Sequence, residues 1–150
     1  VTNLPYYITS KIITKIVSSS TPINRLVAMG QKEVALKLCS EEKSPLKMMI
    51  DYVGDVQYEL NVPRHVFMPA PHVDSAVISI HKERVISQEL IDLIEASYTA
   101  KRKTLYNNLK SLYHDQTKEV LESCGIPANK RAEELNIDDY IRILERSHTL

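Results

Sequence analysis

Val56-Gln57-Tyr58-Glu59-Leu60-Asn61-Val62 alternates apolar and polar side chains, and Asp74-Ser75-Ala76-Val77-Ile78-Ser79-Ile80 follows with a similar alternation. A period of two puts every second side chain on one face, so each run reads as a half-buried strand. Upstream, Arg25-Leu26-Val27-Ala28-Met29 reads as a buried strand. Residues 31–38 then read as a short helix with Val34 and Leu38 inward. Pro45 can open a further helix to about Val53, since its missing N–H costs nothing in the first turn. Nearer the start, Thr9 or Ser10 can cap a helix whose Ile12, Ile13, Ile16 and Val17 share one face, and the Ser-rich stretch before Pro22 ends it.

Beyond about Arg84 the pattern becomes wholly helical. Ser87 can cap a helix with Leu90, Ile91, Ile94 and Tyr98 on one side; Leu105, Leu109 and Leu112 mark a second; Val120, Leu121 and Cys124 mark a third. Gly125 before Ile126-Pro127 is a helix stop, a left-handed cap followed by a residue that cannot continue. Asn136 with Asp139 three residues on forms a capping box for a last helix through Ile141 and Leu144. The fold class expected is therefore α/β for residues 1–84, followed by an all-helical segment over 85–150. Three strands make a poor α/β sheet with open edges, so further strands are expected ahead of Val1. A first residue other than Met agrees with a piece of a longer chain.

At 150 residues, 43% apolar and 25% charged, the composition is that of a water-soluble globular protein, and the net charge of zero announces no nucleic-acid partner. The charge is unevenly placed: residues 97–114 hold Lys101, Arg102, Lys103 and Lys110 and no acid, a local patch able to meet phosphate. A solvated helix face explains such a run equally well. Cys39 and Cys124 match no metal or redox spacing and read as reduced thiols. No apolar run approaches the roughly 20 residues that cross a bilayer, and no signal peptide is visible. The histidines form no ligand spacing, so no metal is expected.

Asn3-Leu4-Pro5-Tyr6 carries the most chemistry. The exocyclic amine of adenine is a poor nucleophile because its lone pair is delocalised into the ring. Acceptors on the amine hydrogens aim that lone pair and stabilise the charge that develops on nitrogen. The Asn3 side-chain oxygen and the Leu4 carbonyl suit this work, Pro5 biases Leu4 towards an extended conformation, and Tyr6 offers a flat face for a base. A plain strand-to-helix turn accounts for the tetrad as well. Phe67, the only phenylalanine, reads on its own as a core aromatic.

The longer strings NLPYYIT (3–9), GQKEVALKL (30–38), VFMPAPHVDSAVISI (66–80), KRKTLYNNL (101–109) and RAEELNIDDY (131–140) together resemble the KsgA-type ribosomal RNA adenine dimethyltransferases, in order and over nearly the whole chain. The resemblance implies the C-terminal part of a Rossmann-like S-adenosylmethionine methyltransferase sheet over residues 1–84 and a small helical rRNA-binding domain over 85–150. It implies Asn3, Leu4, Pro5, Tyr6 and Phe67 as catalytic residues, with Phe67 the second aromatic wall opposite Tyr6. Asn3 also neighbours the cofactor, and Lys101, Arg102, Lys103 and Lys110 meet rRNA. His72 occupies a variable, often basic position, and Asp74 caps or orients the loop. The family's Glu-x-Gly-x-Gly-x-x-Thr cofactor loop has no match here, so most of the S-adenosylmethionine site is expected outside this chain, which alone should neither bind the cofactor appreciably nor methylate.

The implied activity is methylation of the N6 amines of two adjacent adenosines near the 3′ end of small-subunit rRNA, by a cytoplasmic enzyme, monomeric at full length, with no membrane partner. Leu4 and the KRKTLYNNL and RAEEL strings favour this over a resistance-type enzyme of large-subunit rRNA, which usually carries Ile at the second position of the tetrad. An intact tetrad and Phe67 argue against a non-catalytic nucleic-acid-binding relative.

Overall fold

The structure is a computed structural model describing residues 2–3, 9–21 and 23–149, without the side chains of residues 2, 3, 9 and 10. The chain forms two compact units, Val1–Glu42 with Ile50–Val85, and Lys43–Met49 with Ile86–Leu150.

The first unit holds a four-stranded sheet in the order β1-β2-β4-β3, built from β1 (Thr2–Asn3), β2 (Arg25–Gln31), β3 (Gly54–Val62) and β4 (Ser75–Lys82). β1 lies parallel to β2, and β4 runs antiparallel to both β2 and β3. Helices α1 (Thr9–Val17) and α2 (Lys32–Cys39) belong to this unit, and α3 (Pro45–Val53) runs straight into β3. One face of the sheet carries Leu26, Ala28, Ile78 and Ile80, all buried, and Ile13 and Val17 of α1 are buried likewise. Lys82 ties the end of α1 to the sheet by donating from its ammonium to the carbonyls of Ile16 and Ser19. Ile16 lies in the last turn of α1, where carbonyls lack full intrahelical partners, and Ser19 lies just beyond it.

In this unit one expectation holds in part and another fails. On α2, Ala35 and Leu38 are buried, whereas Val34 is only half-buried. The strand β3 carries an irregularity between Tyr58 and Leu60: Tyr58 pairs with Ile78 and Leu60 with Val77. The extra residue, Glu59, changes the phase of the strand. Val56 and Tyr58 keep the face of buried Ile80 and Ile78, but Leu60 turns to the opposite face and is 51% exposed.

The second unit contains α4 (Gln88–Ser97), α5 (Leu105–Tyr113), α6 (Thr117–Ser123) and α7 (Ile137–His148). The Ser87 hydroxyl accepts the Leu90 N–H at 3.2 Å, and Thr104 caps α5 in the same way. The capping box of Asn136 and Asp139 is present with both bonds at 3.0 Å. Gly125 adopts φ +69°, the left-handed cap expected of it. Leu90, Leu93, Ile94, Leu105, Leu109 and Leu121 are buried. On α7 the buried side chains are Tyr140 and Ile143, with Ile141 and Leu144 half-buried, and Leu112 of α5 is 38% exposed.

Tyr140 decides the α7 face because its hydroxyl has a buried partner, Ser97 Oγ at 2.8 Å. Ser97 in turn donates to the Ile94 carbonyl at 2.7 Å. A buried phenol needs such a partner, and burial pushes its ionisation well above the ordinary range.

Candidate functional site

In the sheet, β1, β2 and β3 share one direction, so Asn3, Gln31 and Val62 mark the same end, where β4 begins at Ser75. The register across that end runs Asn3, Met29, Val77, Leu60, with Gln31, Ser75 and Val62 two residues further on. Ligands of α/β sheets bind outside the carboxyl ends of parallel strands. This is the end where Asn3 lies and from which the loop carrying Phe67 departs.

That loop is built to hold its shape. After Pro63, residues Arg64–Val66 make a 3₁₀ turn, and the Phe67 N–H donates to the Arg64 carbonyl at 3.3 Å. The Arg64 N–H donates to Asp74 Oδ1 at 2.8 Å, and the Arg64 guanidinium donates to the His72 carbonyl at 3.1 Å. The Lys32 N–H, at the β2–α2 junction, donates to the Asp74 carbonyl at 3.0 Å. Asp74 thus orients the loop as its place in the string implies. Phe67 is half-buried and its neighbour Met68 is 98% exposed. Phe67 is therefore no buried core aromatic.

Leu4, Pro5 and Tyr6 lie outside the described residues, and of Asn3 only the backbone is described. Arg64 escaped notice in the sequence because it precedes the recognisable string at 66–80 and reads as one more surface cation. Its signal is the spacing, three residues before Phe67 and ten before Asp74.

In the helical unit, Lys101, Arg102 and Lys103 are exposed in the turn between α4 and α5, ahead of the Thr104 cap, rather than in the helix itself. Lys110 lies on α5 with its ammonium 4.6 Å from the centre of the Tyr106 ring. The turn is held from below: the Asn108 amide donates to the carbonyls of Ser97 at 2.8 Å and Ala100 at 3.1 Å. Asn108 is buried and committed to this structural work, so it is not an outward RNA-facing group.

A family model described as ribosomal RNA adenine dimethylase matches residues 1–148. The chain belongs to the ribosomal RNA adenine dimethylase family. Among its dimethylase relatives, a Fusobacterium nucleatum protein named ribosomal RNA small subunit methyltransferase A is 36% identical over 97% of this chain and 60% of its own length. A Mesoplasma florum protein of the same name is 33% identical over 98% of the chain and 60% of its own. The chain thus spans about 60% of the length of these dimethylase relatives.

Among solved structures, a dimethyladenosine transferase from Plasmodium falciparum superposes with a TM-score of 0.82 at 24% identity, covering 98% of this chain and 65% of that one. The 23S rRNA methyltransferase ErmE superposes with a TM-score of 0.65 at 22% identity, covering 97% and 63%. The expected fold, the C-terminal part of a Rossmann-like methyltransferase sheet followed by a small helical domain, is the dimethylase fold observed. Among the described residues no three His, Cys, Asp or Glu side chains converge as a metal site, and no helix is long and apolar enough to cross a membrane.

Proposed function

We propose that the full-length protein carrying this chain transfers methyl groups from S-adenosylmethionine to the N6 amines of two adjacent adenosines near the 3′ end of small-subunit rRNA. The observation that carries this is the common sheet end of β1, where the Asn3-Leu4-Pro5-Tyr6 tetrad begins, and of the pinned loop that presents Phe67. Identity of 36% and 33% to relatives named ribosomal RNA small subunit methyltransferase A supports the small subunit over the large one. We further propose a cytoplasmic enzyme, monomeric at full length.

In this scheme an adenine swung out of its RNA is gripped between the rings of Tyr6 and Phe67 and recovers part of its lost stacking. The Asn3 side-chain oxygen and the Leu4 carbonyl accept the amine hydrogens and hold the nitrogen lone pair towards the methyl donor. The cofactor supplies the electrophilic methyl group. Of the residues that the resemblance assigns to holding it, this chain contributes Asn3; Gly30 lies in β2, Gly54 opens β3 and Gly125 caps a helix, so none forms a cofactor loop. No strong base is needed, because the methylated ammonium sheds its proton readily. Lys101, Arg102, Lys103 and Lys110 meet rRNA phosphates, which position the enzyme without reading sequence.

The test is methyl transfer by the full-length protein to small-subunit particles and to large-subunit rRNA. Tyr6→Ala and Phe67→Ala should each lower the rate by about 5- to 150-fold, the loss of one ring contact of about 1–3 kcal/mol. A Tyr6→Ala variant that binds RNA normally and methylates at the full rate would overturn the assignment.

A further inference from the structure

A groove of about 510 Å³ opens beside the Phe67 loop, between the start of α2 and residues 63–74. That volume lies within the roughly 300–1,000 Å³ of ordinary ligand clefts. Its lining includes Lys32 and Leu36 from α2 and Arg64, His72 and Val73 from the loop. Leu36 and Val73 are 49% and 43% exposed, so the groove has an apolar wall as well as a cationic rim. Its two carboxylates are already engaged: Asp74 accepts the Arg64 N–H, and Glu33 pairs with Lys37 at 3.5 Å. The Lys32 ammonium, by contrast, has no hydrogen-bond or ion-pair partner among the described residues. Arg64 spends one guanidinium nitrogen on the His72 carbonyl and keeps its remaining donors.

We infer that this groove holds the sugar–phosphate backbone of the RNA strand next to the adenosine being methylated, with Lys32 and Arg64 on its phosphates and Leu36 and Val73 against a sugar or base. The inference rests on the proposed function and adds a substrate-positioning site to it. Two features favour an RNA strand over a free small anion. Arg64 begins the 3₁₀ turn and its own carbonyl accepts the Phe67 N–H, so a phosphate held at Arg64 is coupled to the residue whose ring grips the base. The cations also sit along a groove with apolar flanks rather than converging on one point, which suits a chain of alternating charge and ring. Arg offers a planar fork that matches two phosphate oxygens.

The experiment uses the full-length protein and a short small-subunit rRNA hairpin bearing two adjacent adenosines, with binding followed across a salt series. Lys32→Glu, Lys32→Gln and Lys32→Gln with Arg64→Gln are compared with Lys118→Gln, which removes an exposed charge on α6. The double variant should bind about tenfold more weakly and lose about 1.4 from the slope of log affinity against log salt, about 0.7 for each single-strand phosphate contact. Its KM for RNA should rise while its affinity for S-adenosylmethionine stays at the wild-type value. Because the Lys32 side chain has no partner among the described residues and its backbone bond to the Asp74 carbonyl survives substitution, Lys32→Glu reports on binding without loss of folding. Groove variants with the wild-type salt slope and KM, beside a wild type that methylates, overturn the groove alone. Weaker binding with an unchanged slope also overturns it, since the loss then comes from loop shape and not from phosphate contacts. A wild type that neither binds nor methylates the hairpin or the small-subunit particle defeats the proposed function itself.

Discussion

The carboxylate of Asp74 accepts the backbone N–H of Arg64 at 2.8 Å, and the pair closes the loop that carries Phe67. Asp74→Ala removes this clasp at the point where the loop rejoins β4. The bond is partly exposed, so its loss should cost about 1 kcal/mol of stability, less than a buried charged bond. The effect on methylation should be larger, about tenfold or more, because the ring must be held in place before a base arrives. Asp74→Asn keeps an acceptor oxygen and should recover most of the rate. Paired thermal denaturation and methyl-transfer assays of the full-length protein check this; equal rates for Asp74→Ala and wild type would show that the clasp does not position Phe67.

Under the proposed function, the basic turn and the residue beneath it should separate binding from folding. Lys101, Arg102 and Lys103 are exposed, whereas Asn108 beneath them is buried. Replacing all three cations with Ala should leave stability within about 0.5 kcal/mol, as for ordinary surface changes. It should flatten the salt dependence of RNA binding by about 2 in slope, from three contacts at about 0.7 each. Asn108→Ala instead strips a donor from the Ser97 and Ala100 carbonyls and should cost about 2–3 kcal/mol. A salt titration and a denaturant melt on both variants distinguish the two roles.

Gly54 stands where α3 passes directly into β3, and a Cβ at this position would overlap the carbonyl of His81 on β4. The requirement is close approach between backbones, not a left-handed φ. Gly54→Ala should therefore cost about 1–3 kcal/mol as the strand is pushed from its neighbour. A chemical melt of the variant measures this directly. A change below 0.5 kcal/mol would mean that the junction relaxes at little cost.

The strands, the helix starts and the family-like strings were legible because each depends on neighbours in sequence. Ser87, Asn136 with Asp139, and Gly125 act over three or four residues, and all three behave as their local chemistry dictates. What escaped depends on partners distant in the chain. Leu60 left the expected face because an extra residue enters β3 opposite β4, which alternation alone does not reveal. Tyr140 displaced Ile141 from the buried stripe because its hydroxyl meets Ser97, 43 positions away. At the site, Phe67 stood out as a residue type within a string, but Arg64 gains its meaning only from the bond that joins it to Asp74.

Alkaline pH should destabilise the helical unit. Burial is the largest cause raising the phenols of Tyr98, Tyr113 and Tyr140, and it raises the Cys124 thiol as well. Each of these groups is neutral below its unfolded-state pKa, so its contribution to stability is fully present there. As pH rises the unfolded chain ionises first, from about pH 9 for the thiol and about pH 10 for the phenols, and stability falls until the folded groups ionise too. Between about pH 9 and 11 the melting temperature should drop progressively. Tyr140→Phe should reduce the proton-linked part of that drop by one group, while costing about 1 kcal/mol near neutrality through the lost bond to Ser97. Melting curves followed by circular dichroism at several pH values check both parts. A melting temperature that stays flat through this window, or one that falls as steeply in Tyr140→Phe as in wild type, would show that the buried phenol is not what couples the unit to pH.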